Sequence, residues 1–221
     1  MLGVRSAISR AAEKSALVVK DAHRNLQVPF FMGLFMPYHN RSVRLGSLVS
    51  TDRRSTLYSS VYSAYTHYMK IFLGADHGGF YLKEKVAAYL SKRGVQWEDV
   101  GDRELDPNDD FPQFAQMAAI KILGEDDATD PRAILICTGG QGMAMAANRF
   151  RGIRAAVIWH SFEAKECRND NDSNVLCLPA RVVDAEGDDL ALWKDIIDTW
   201  LATPFAGAAR FVRRNAELDM F

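Results

Sequence analysis

From residue 71 onward, short apolar runs alternate with segments in which apolar side chains recur every three or four residues. A short apolar run bounded by turn residues is typical of a buried strand, and the recurring pattern is typical of an amphipathic helix. The predicted strands span residues 71–75, 95–100, 134–137, 154–158 and 174–178. This alternation predicts an α/β domain built on a five-stranded parallel sheet.

Helical segments connect these strands and follow the last one. The predicted helices run from Leu82 to about Leu90, from Asp109 to about Leu123, from the glycines after residue 137 to Phe150, from Ser161 to about Arg168, from about Glu186 to Trp200, and onward from Pro204. Right-handed crossovers would place them on both faces of the sheet, which predicts a three-layer, Rossmann-like domain. In such a domain ligands bind at the carboxyl ends of the strands.

We assign three polar segments to these carboxyl ends. They are Asp76-His77 after the first strand, Cys137-Thr138-Gly139 after the third, and the run Asn169–Asp172 before the fifth. The sequence therefore predicts that the three segments contribute to one site.

The first 70 residues lack this alternation. A helix is predicted around Ser6–Ala22, and eight aromatic residues between positions 30 and 68 argue against disorder. We expect these rings to pack on the α/β domain or on a second subunit. The chain is therefore divided into a helical or irregular amino-terminal extension, 1–70, and an α/β domain, 71–221.

The third strand ends on a cysteine and turns through glycines into a helix. The segment from residue 134 to 149 is ILICTGGQGMAMAANR. Gly139, Gly140 and Gly142 allow the tight turn, and the helix that follows would direct its unpaired N–H groups back at the loop. This arrangement predicts an anion cradle beside the thiol of Cys137.

Two other interpretations of this segment remain. A cysteine that closes a core strand is often an inert apolar residue. A dinucleotide site is disfavoured, because Met145 replaces the last glycine of G-x-G-x-x-G and no acidic residue closes the next strand.

Composition excludes some classes of function. The net charge of −1 gives no overall case for nucleic acid or membrane binding, although residues 1–70 carry ten basic and three acidic side chains. Three cysteines form no CxxC pair, which favours free thiols in a reducing compartment and hence the cytoplasm. The first 26 residues have the amphipathic, arginine-containing character of a targeting peptide, but Glu13 and Asp21 count against that interpretation.

The α/β part resembles the family of ribose-5-phosphate isomerase B and the galactose-6-phosphate isomerase subunits. The matching segments, in the family's order, are GADHGGFYLKEKVAAYL (74–90), DVGD (99–102), CTGGQGMAMAANRF (137–150), GIRAA (152–156) and NDNDSNVL (169–176). The resemblance extends over about residues 70–218 and does not include the first 70 residues.

The resemblance implies an aldose–ketose isomerisation without metal or cofactor, by proton transfer through a cis-enediolate. In that scheme Cys137 is the base, and Thr138 with the amides of Gly139–Gly142 supplies the donors that a developing oxyanion needs. Asn171 resembles an asparagine that the partner subunit contributes to the enediolate. Asp76 and His77 match a pair that contacts the ring oxygen and hydroxyls of the sugar. The resemblance assigns the phosphate to Arg181, Arg210 and Arg214.

The chain departs from the family pattern at three positions. Asp170 replaces a histidine that opens the furanose ring in many relatives; because a carboxyl group can also move a proton, Asp170 is kept as a catalytic candidate. Thr138 is displaced by one position within the loop, and Phe211 replaces a frequent histidine near the phosphate.

The resulting prediction is a sugar-phosphate isomerase with ribose 5-phosphate and ribulose 5-phosphate as the default pair. The alternatives are a six-carbon or unphosphorylated sugar, or a non-catalytic relative that binds a sugar phosphate. A homodimer or a dimer of dimers with shared active sites is expected, without nucleic-acid or membrane partners.

Overall fold

The computed structural model describes residues 69–184 and 192–220. The predicted features of residues 1–68, and Leu190 in the long helix, lie outside the described residues. Within the described part, five strands form one sheet, and the prediction of an α/β fold is confirmed. They are β1 (Lys70–Ala75), β2 (Gln96–Asp99), β3 (Pro131–Cys137), β4 (Ala155–Val157) and β5 (Val175–Pro179).

All strand pairs in the sheet are parallel, and the strand order is β2-β1-β3-β5-β4. The chain leaves β1 toward one side of the sheet and leaves β3 toward the other. The order of the strands therefore reverses between β1 and β3, and a crevice opens at their carboxyl ends. This crevice is the place where an open α/β sheet binds its ligand.

Seven α-helices are found in the described residues. They are α1 (Phe80–Lys92), α2 (Phe111–Gly124), α3 (Gln141–Ala147), α4 (Ser161–Asn171), α5 (Ala180–Val183), α6 (Leu192–Ala202) and α7 (Ala209–Leu218). None of the helices in this part of the chain is long and apolar enough to cross a membrane.

Two apolar cores, one on each face of the sheet, create the three layers. The side chains of β3 alternate between them: Ile134 and Ile136 join the first core, while Leu135 and Cys137 join the second. Helices α1, α4 and α6 cover the first core, with Trp200 of α6 fully buried. Helices α2 and α3 cover the second.

The helix after the glycine loop is shorter than predicted. It ends at Ala147, whereas the sequence predicted an end at Phe150. The side-chain amide of Asn148 pairs with the backbone of Ala155 through bonds of 2.9 and 2.8 Å. Gly152 then takes a left-handed conformation with φ of 86°, so the chain turns into β4.

The helix before β5 is longer than predicted and extends to Asn171. Residues 169–172, which we assigned to the carboxyl edge of the sheet, therefore end a helix that leads into the amino end of β5. That assignment was wrong, because a helix between parallel strands runs back to the opposite edge before the next strand begins.

Candidate active site

The loop that follows β1 begins with Asp76 and His77, at the carboxyl edge where the crevice opens. The register pairs Ala75 with Ile136, so Asp76 and Cys137 are the next residues on neighbouring strands, whose backbones lie about 4.8 Å apart. The N–H of Asp76 donates to the carbonyl of Ile136 at 3.3 Å. The structure therefore brings Asp76 and Cys137 together, as the sequence predicted.

The Asp76 carboxylate is folded back into its own loop. Its Oδ1 accepts a hydrogen bond of 3.1 Å from the N–H of Gly79, and only 8% of the residue is exposed. Burial raises the pKa of the Asp76 carboxyl above its ordinary value, although the Gly79 N–H acts in the opposite direction. The protein thus holds this carboxylate in a fixed position at the carboxyl edge of β1.

Two glycines allow the β1 and β3 loops to touch. A Cβ atom on Gly78 would collide with the side-chain hydroxyl of Thr138, and one on Gly79 would collide with the carbonyl oxygen of Ile136. A side chain at either position would push the loops apart. Both glycines belong to the motif at residues 74–90, but we assigned them no role in the predicted site.

Cys137 ends β3, and its sulfur lies at the start of the glycine turn. The N–H of Gly140 donates to Sγ at 3.0 Å, which stabilises negative charge on the sulfur. Gly140 is left-handed, with φ of 76°, and an added Cβ would lie 3.0 Å from Val157 and 3.3 Å from the backbone of Pro179. Glycine is therefore required at the position whose N–H reaches the thiol.

The two other cysteines lack this setting. Burial raises the pKa of the Cys167 thiol to about 11, and that thiol donates to the carbonyl of Ala164 at 3.3 Å. Burial also raises the pKa of the Cys177 thiol, in the middle of β5. Both remain protonated at neutral pH, whereas the sulfur of Cys137 lies at the crevice and accepts the N–H of Gly140.

Helix α2 closes one side of the glycine turn. A Cβ atom on Gly142 would lie 2.9 Å from the ring of Phe111, the first residue of α2. Gly139, by contrast, faces only the flexible side chain of Gln141. The predicted cradle therefore depends sterically on Gly140 and Gly142 more than on Gly139.

A hydrogen-bonded pair that the sequence did not predict lies at the same edge. The Nδ1 atom of His77 is 2.6 Å from Oδ1 of Asp109, and the backbone N–H of His77 donates to that oxygen at 3.0 Å. The hydrogen bond to Asp109 raises the pKa of the His77 imidazole. We predicted that Asp109 opens a helix, but the N-cap position belongs to Asp110. The signal in the sequence was the pair Asp109-Asp110 before the helix. A helix has a single N-cap residue, so the second aspartate was available for another contact.

Arg181 joins this edge from the third neighbouring strand. It follows β5, and its N–H donates to the carbonyl of Thr138 at 3.2 Å, while its side chain is exposed. Thr138 therefore touches the loops after β1 and β5 at once. The structure brings Arg181 to the loop of Cys137, as a role in ligand binding requires.

Four predicted site residues lie away from this crevice within one chain. The carbonyl of Asn171 accepts from Nε of Arg154, just before β4, at 3.0 Å. Three residues further along the chain, the carbonyl of Asn174 accepts from the N–H of Ala133 at 2.9 Å. Ala133 is four strand residues before Cys137, a separation of about 13 Å. The residues at this amino edge are Asp170, Asn171, Arg210 and Arg214.

Helix α7 holds the two arginines at the amino edge. Its carboxyl end is fixed by Asp219, whose Oδ1 accepts from the N–H of Gly152 at 2.9 Å. Arg210 and Arg214 are exposed, whereas Phe211 is buried, with the guanidinium of Arg210 4.5 Å from the centre of its ring. The aromatic residue at this position is thus a packing element of α7.

A cleft of about 390 Å³ opens beside Asn171 at the same edge. The cationic residues that line it are Arg149, Arg151 and Arg154. Asp219 also lines this cleft, and Arg154 pairs with Asp172 at 2.9 Å, so the amino edge carries a mixed but arginine-rich surface.

A family model described as Ribose/Galactose Isomerase matches residues 71–218, about two thirds of the chain. The chain belongs to this family. It is accordingly a sugar isomerase, and the resemblance found in the sequence is confirmed.

Three relatives show how close the match is. Ribose-5-phosphate isomerase B of Escherichia coli (strain K12) is 40% identical over 148 residues, which cover 66% of this chain and 93% of the relative. The 4-deoxy-4-sulfo-D-erythrose isomerase of Clostridium sp. (strain MSTE9) is 40% identical over 140 residues, covering 62% and 81%. A crystal structure of a ribose 5-phosphate isomerase from Thermotoga maritima superposes with a TM-score of 0.62 at 41% identity, covering 70% of this chain and 100% of that one.

Proposed function

We propose that this isomerase interconverts an aldose and a ketose that carry a terminal anionic group, with ribose 5-phosphate and ribulose 5-phosphate as the default pair. The observation that carries the proposal is the placement of the Cys137 sulfur. It lies at the strand-order reversal, accepts the Gly140 N–H, and neighbours the loop of Asp76 and His77.

Proton transfer next to a carbonyl requires a base and donors for the oxygen that becomes negative. In the proposed reaction the Cys137 thiolate removes the proton from C2 of the open aldose and returns it to C1 through a cis-enediolate, while the proton of the C2 hydroxyl moves to the C1 oxygen. The N–H groups of the turn Gly139–Gly142, with Thr138, stabilise the enediolate oxygens. Asp76 and His77 bind the ring oxygen and hydroxyls.

The relatives support a terminal anion more strongly than they support one sugar. Two of them have the same identity to this chain, 40%, and are named for different substrates, ribose 5-phosphate and 4-deoxy-4-sulfo-D-erythrose. A phosphate and a sulfonate share three oxygens and a negative charge, which suit the planar donors of arginine. We assign this group to Arg181, Arg210 and Arg214. A six-carbon or unphosphorylated sugar is the alternative.

A shared active site would explain the division of these residues between two edges. Asp170, Asn171 and the arginines of α7 lie at the amino edge, where Asn174 contacts Ala133, a residue about 13 Å along β3 from Cys137. We propose a homodimer, or a dimer of dimers, in which these residues complete the site of the partner.

We also propose the cytoplasm as the location of this enzyme. All three cysteines are free thiols, and two of them, Cys137 and Cys177, are buried. Free thiols persist in a reducing compartment.

The chemistry is tested by deuterium incorporation at C2 from D₂O across pentose and hexose phosphates, sulfonated tetroses and free sugars. Cys137→Ser should lower the exchange rate about 10²- to 10⁴-fold, the usual contribution of a general base. Cys177→Ala, at the fully buried cysteine in the middle of β5, is the matched control and should keep most of the wild-type exchange. Binding of a sugar phosphate without exchange in the wild type would favour the non-catalytic alternative.

The shared site is tested by co-expressing two inactive variants, Cys137→Ala and Asn171→Ala. A mixed dimer then contains one site with both defects and one with neither, so activity should reappear. Two doubly tagged preparations, each carrying a single variant, serve as controls. Continued inactivity of the purified mixed dimer would reject sharing of Asn171.

A further inference from the structure

We propose that Asp109 is a positioning residue for His77, which it holds in one tautomer and one orientation so that Nε2 is the nitrogen presented to the sugar. This inference rests on the proposed function, because it assumes that the sugar binds at the carboxyl edge of β1 and β3.

Two hydrogen bonds converge on one oxygen of Asp109. Its Oδ1 accepts from the backbone N–H of His77 at 3.0 Å and lies 2.6 Å from Nδ1 of the same residue. The carboxylate therefore binds both the main chain and the ring of His77. A contact at two points fixes the direction of the imidazole plane more firmly than one hydrogen bond could.

The exposure of the two side chains shows which of them can meet a ligand. Only 3% of the Asp109 side chain is exposed, whereas 45% of the His77 side chain is open. Asp109 is thus placed behind the ring, and the open part of the ring faces away from it. A sugar at the crevice would touch His77 and would reach Asp109 only through it.

The hydrogen bond also decides which nitrogen carries the proton. Oδ1 of a carboxylate only accepts, so Nδ1 must donate to it in both the neutral and the protonated ring. Nε2 is then the nitrogen that changes: it donates to a sugar oxygen when the ring is charged and accepts when the ring is neutral. The same logic operates wherever a carboxylate orients a histidine that transfers or shares protons.

Charges around the ring favour its protonated form. The Asp109 hydrogen bond is the main cause that raises the pKa of His77, and the charges of Asp109, Asp76 and Asp106 act in the same direction. Two other charged residues of the β2–α2 loop, Arg103 and Glu104, are exposed to solvent. On the neighbouring β3 loop, the titratable side chain is that of Cys137.

A purely structural role for Asp109 would be that of a helix cap. The N-cap of α2 is Asp110, and Asp109 instead helps to close a turn through its N–H, which donates to the carbonyl of Asp106 at 3.2 Å. That turn uses the backbone and not the carboxylate. Changing the side chain alone should therefore preserve the loop while releasing His77.

The test compares Asp109→Asn with a matched control, Asp106→Asn. Both remove one negative charge near His77, but the Asp106 carboxylate accepts from the N–H of Asn108 at 2.9 Å and makes no bond to the ring. Imidazole resonances of the protein, labelled at its five histidines and assigned with His77→Gln, report the pKa and the tautomer by NMR. The pH profile of kcat/KM reports the effect on turnover, and Asp109→Glu tests whether a carboxylate of different length restores it.

Asp109→Asn should lower the pKa of His77 and weaken the preference for the Nδ1–H tautomer. It should also move the alkaline limb of kcat/KM to lower pH and reduce kcat/KM at neutral pH about 10- to 100-fold, as loss of an orienting partner commonly does. Asp106→Asn should change each quantity much less, and Asp109→Glu should keep the alkaline limb nearer its wild-type position.

Equal effects of the two asparagine variants on the His77 pKa and tautomer would overturn the inference, as would an unchanged alkaline limb in Asp109→Asn. The NMR titration needs no turnover. If the wild-type protein exchanges no sugar proton at all, the proposed function fails, while a normal titration response would still show that Asp109 orients His77.

Discussion

Replacing the buried Lys83 by methionine should destabilise the protein far more than the same change at Lys85, two residues further along helix α1. Only 1% of the Lys83 side chain is exposed, and its Nζ donates to Oδ2 of Asp99 and to the carbonyl of Asp102, both at 2.6 Å. Lys83 thereby ties α1 to the end of β2 and to the start of the loop that carries Asp109.

The expected loss follows from these contacts. Two charge-assisted hydrogen bonds contribute about 1.5–3 kcal/mol each. Removing one partner of a buried ion pair costs about 3–5 kcal/mol. The Asp99 side chain is 24% exposed and can be solvated after the change, so we expect about 2–4 kcal/mol. For a chain of this size that corresponds to a fall in Tm of about 5–15 °C.

Lys85→Met is the matched control. The Lys85 side chain is 45% exposed and pairs with Asp184 at 2.9 Å, so its removal should cost about 0–1 kcal/mol. Lysine and methionine have similar helix propensities, so α1 itself is unaffected by either change. Urea unfolding monitored by tryptophan fluorescence and by circular dichroism gives both free energies. Similar losses for the two variants, or less than about 1 kcal/mol for Lys83→Met, would refute the reasoning.

Two further predictions concern the β1 loop. Gly79→Ala should destabilise the protein by about 1–3 kcal/mol, because its Cβ meets the Ile136 carbonyl, whereas Gly124→Ala, with open space around it, should be neutral or stabilising in thermal unfolding. A smaller loss at Gly79 than at Gly124 would contradict this. For Asp76, the raised pKa means that the folded state binds a proton more tightly, so stability falls as pH rises from about 3.8 through the folded pKa. Asp76→Asn should therefore gain stability relative to the wild type as the pH rises above about 3.8 in urea titrations, and a constant difference would count against the raised pKa.

The sequence was most informative where a pattern is local. The alternation in β3, with Ile134 and Ile136 on one face and Leu135 and Cys137 on the other, is written in consecutive residues, and so is the turn at Gly140. The polar residues that directly follow β1 and β3 could be placed together because parallel neighbours end at the same edge.

Helix ends were harder to predict, because tertiary contacts set them. Helix α3 stops where the Asn148 side chain finds the backbone of Ala155, and α4 continues to Asn171, where Asp172 turns left-handed. The run 169–172 was misplaced for a different reason: it precedes β5 and therefore lies at the amino edge of the sheet, whether it belongs to the helix or to the loop.

The sequence by itself determined the sheet, the cysteine–glycine turn and the family of this protein, because each depends on short-range periodicity or on ordered motifs. Only the tertiary structure decided that Asp109 binds His77 across a separation of 32 residues, and that Asn171 lies at the edge of the sheet opposite the thiol of its own chain. Such relations depend on how helices and loops pack against the sheet. No local pattern records that packing, since the same carboxylate can cap a helix or orient a histidine according to what the fold places beside it.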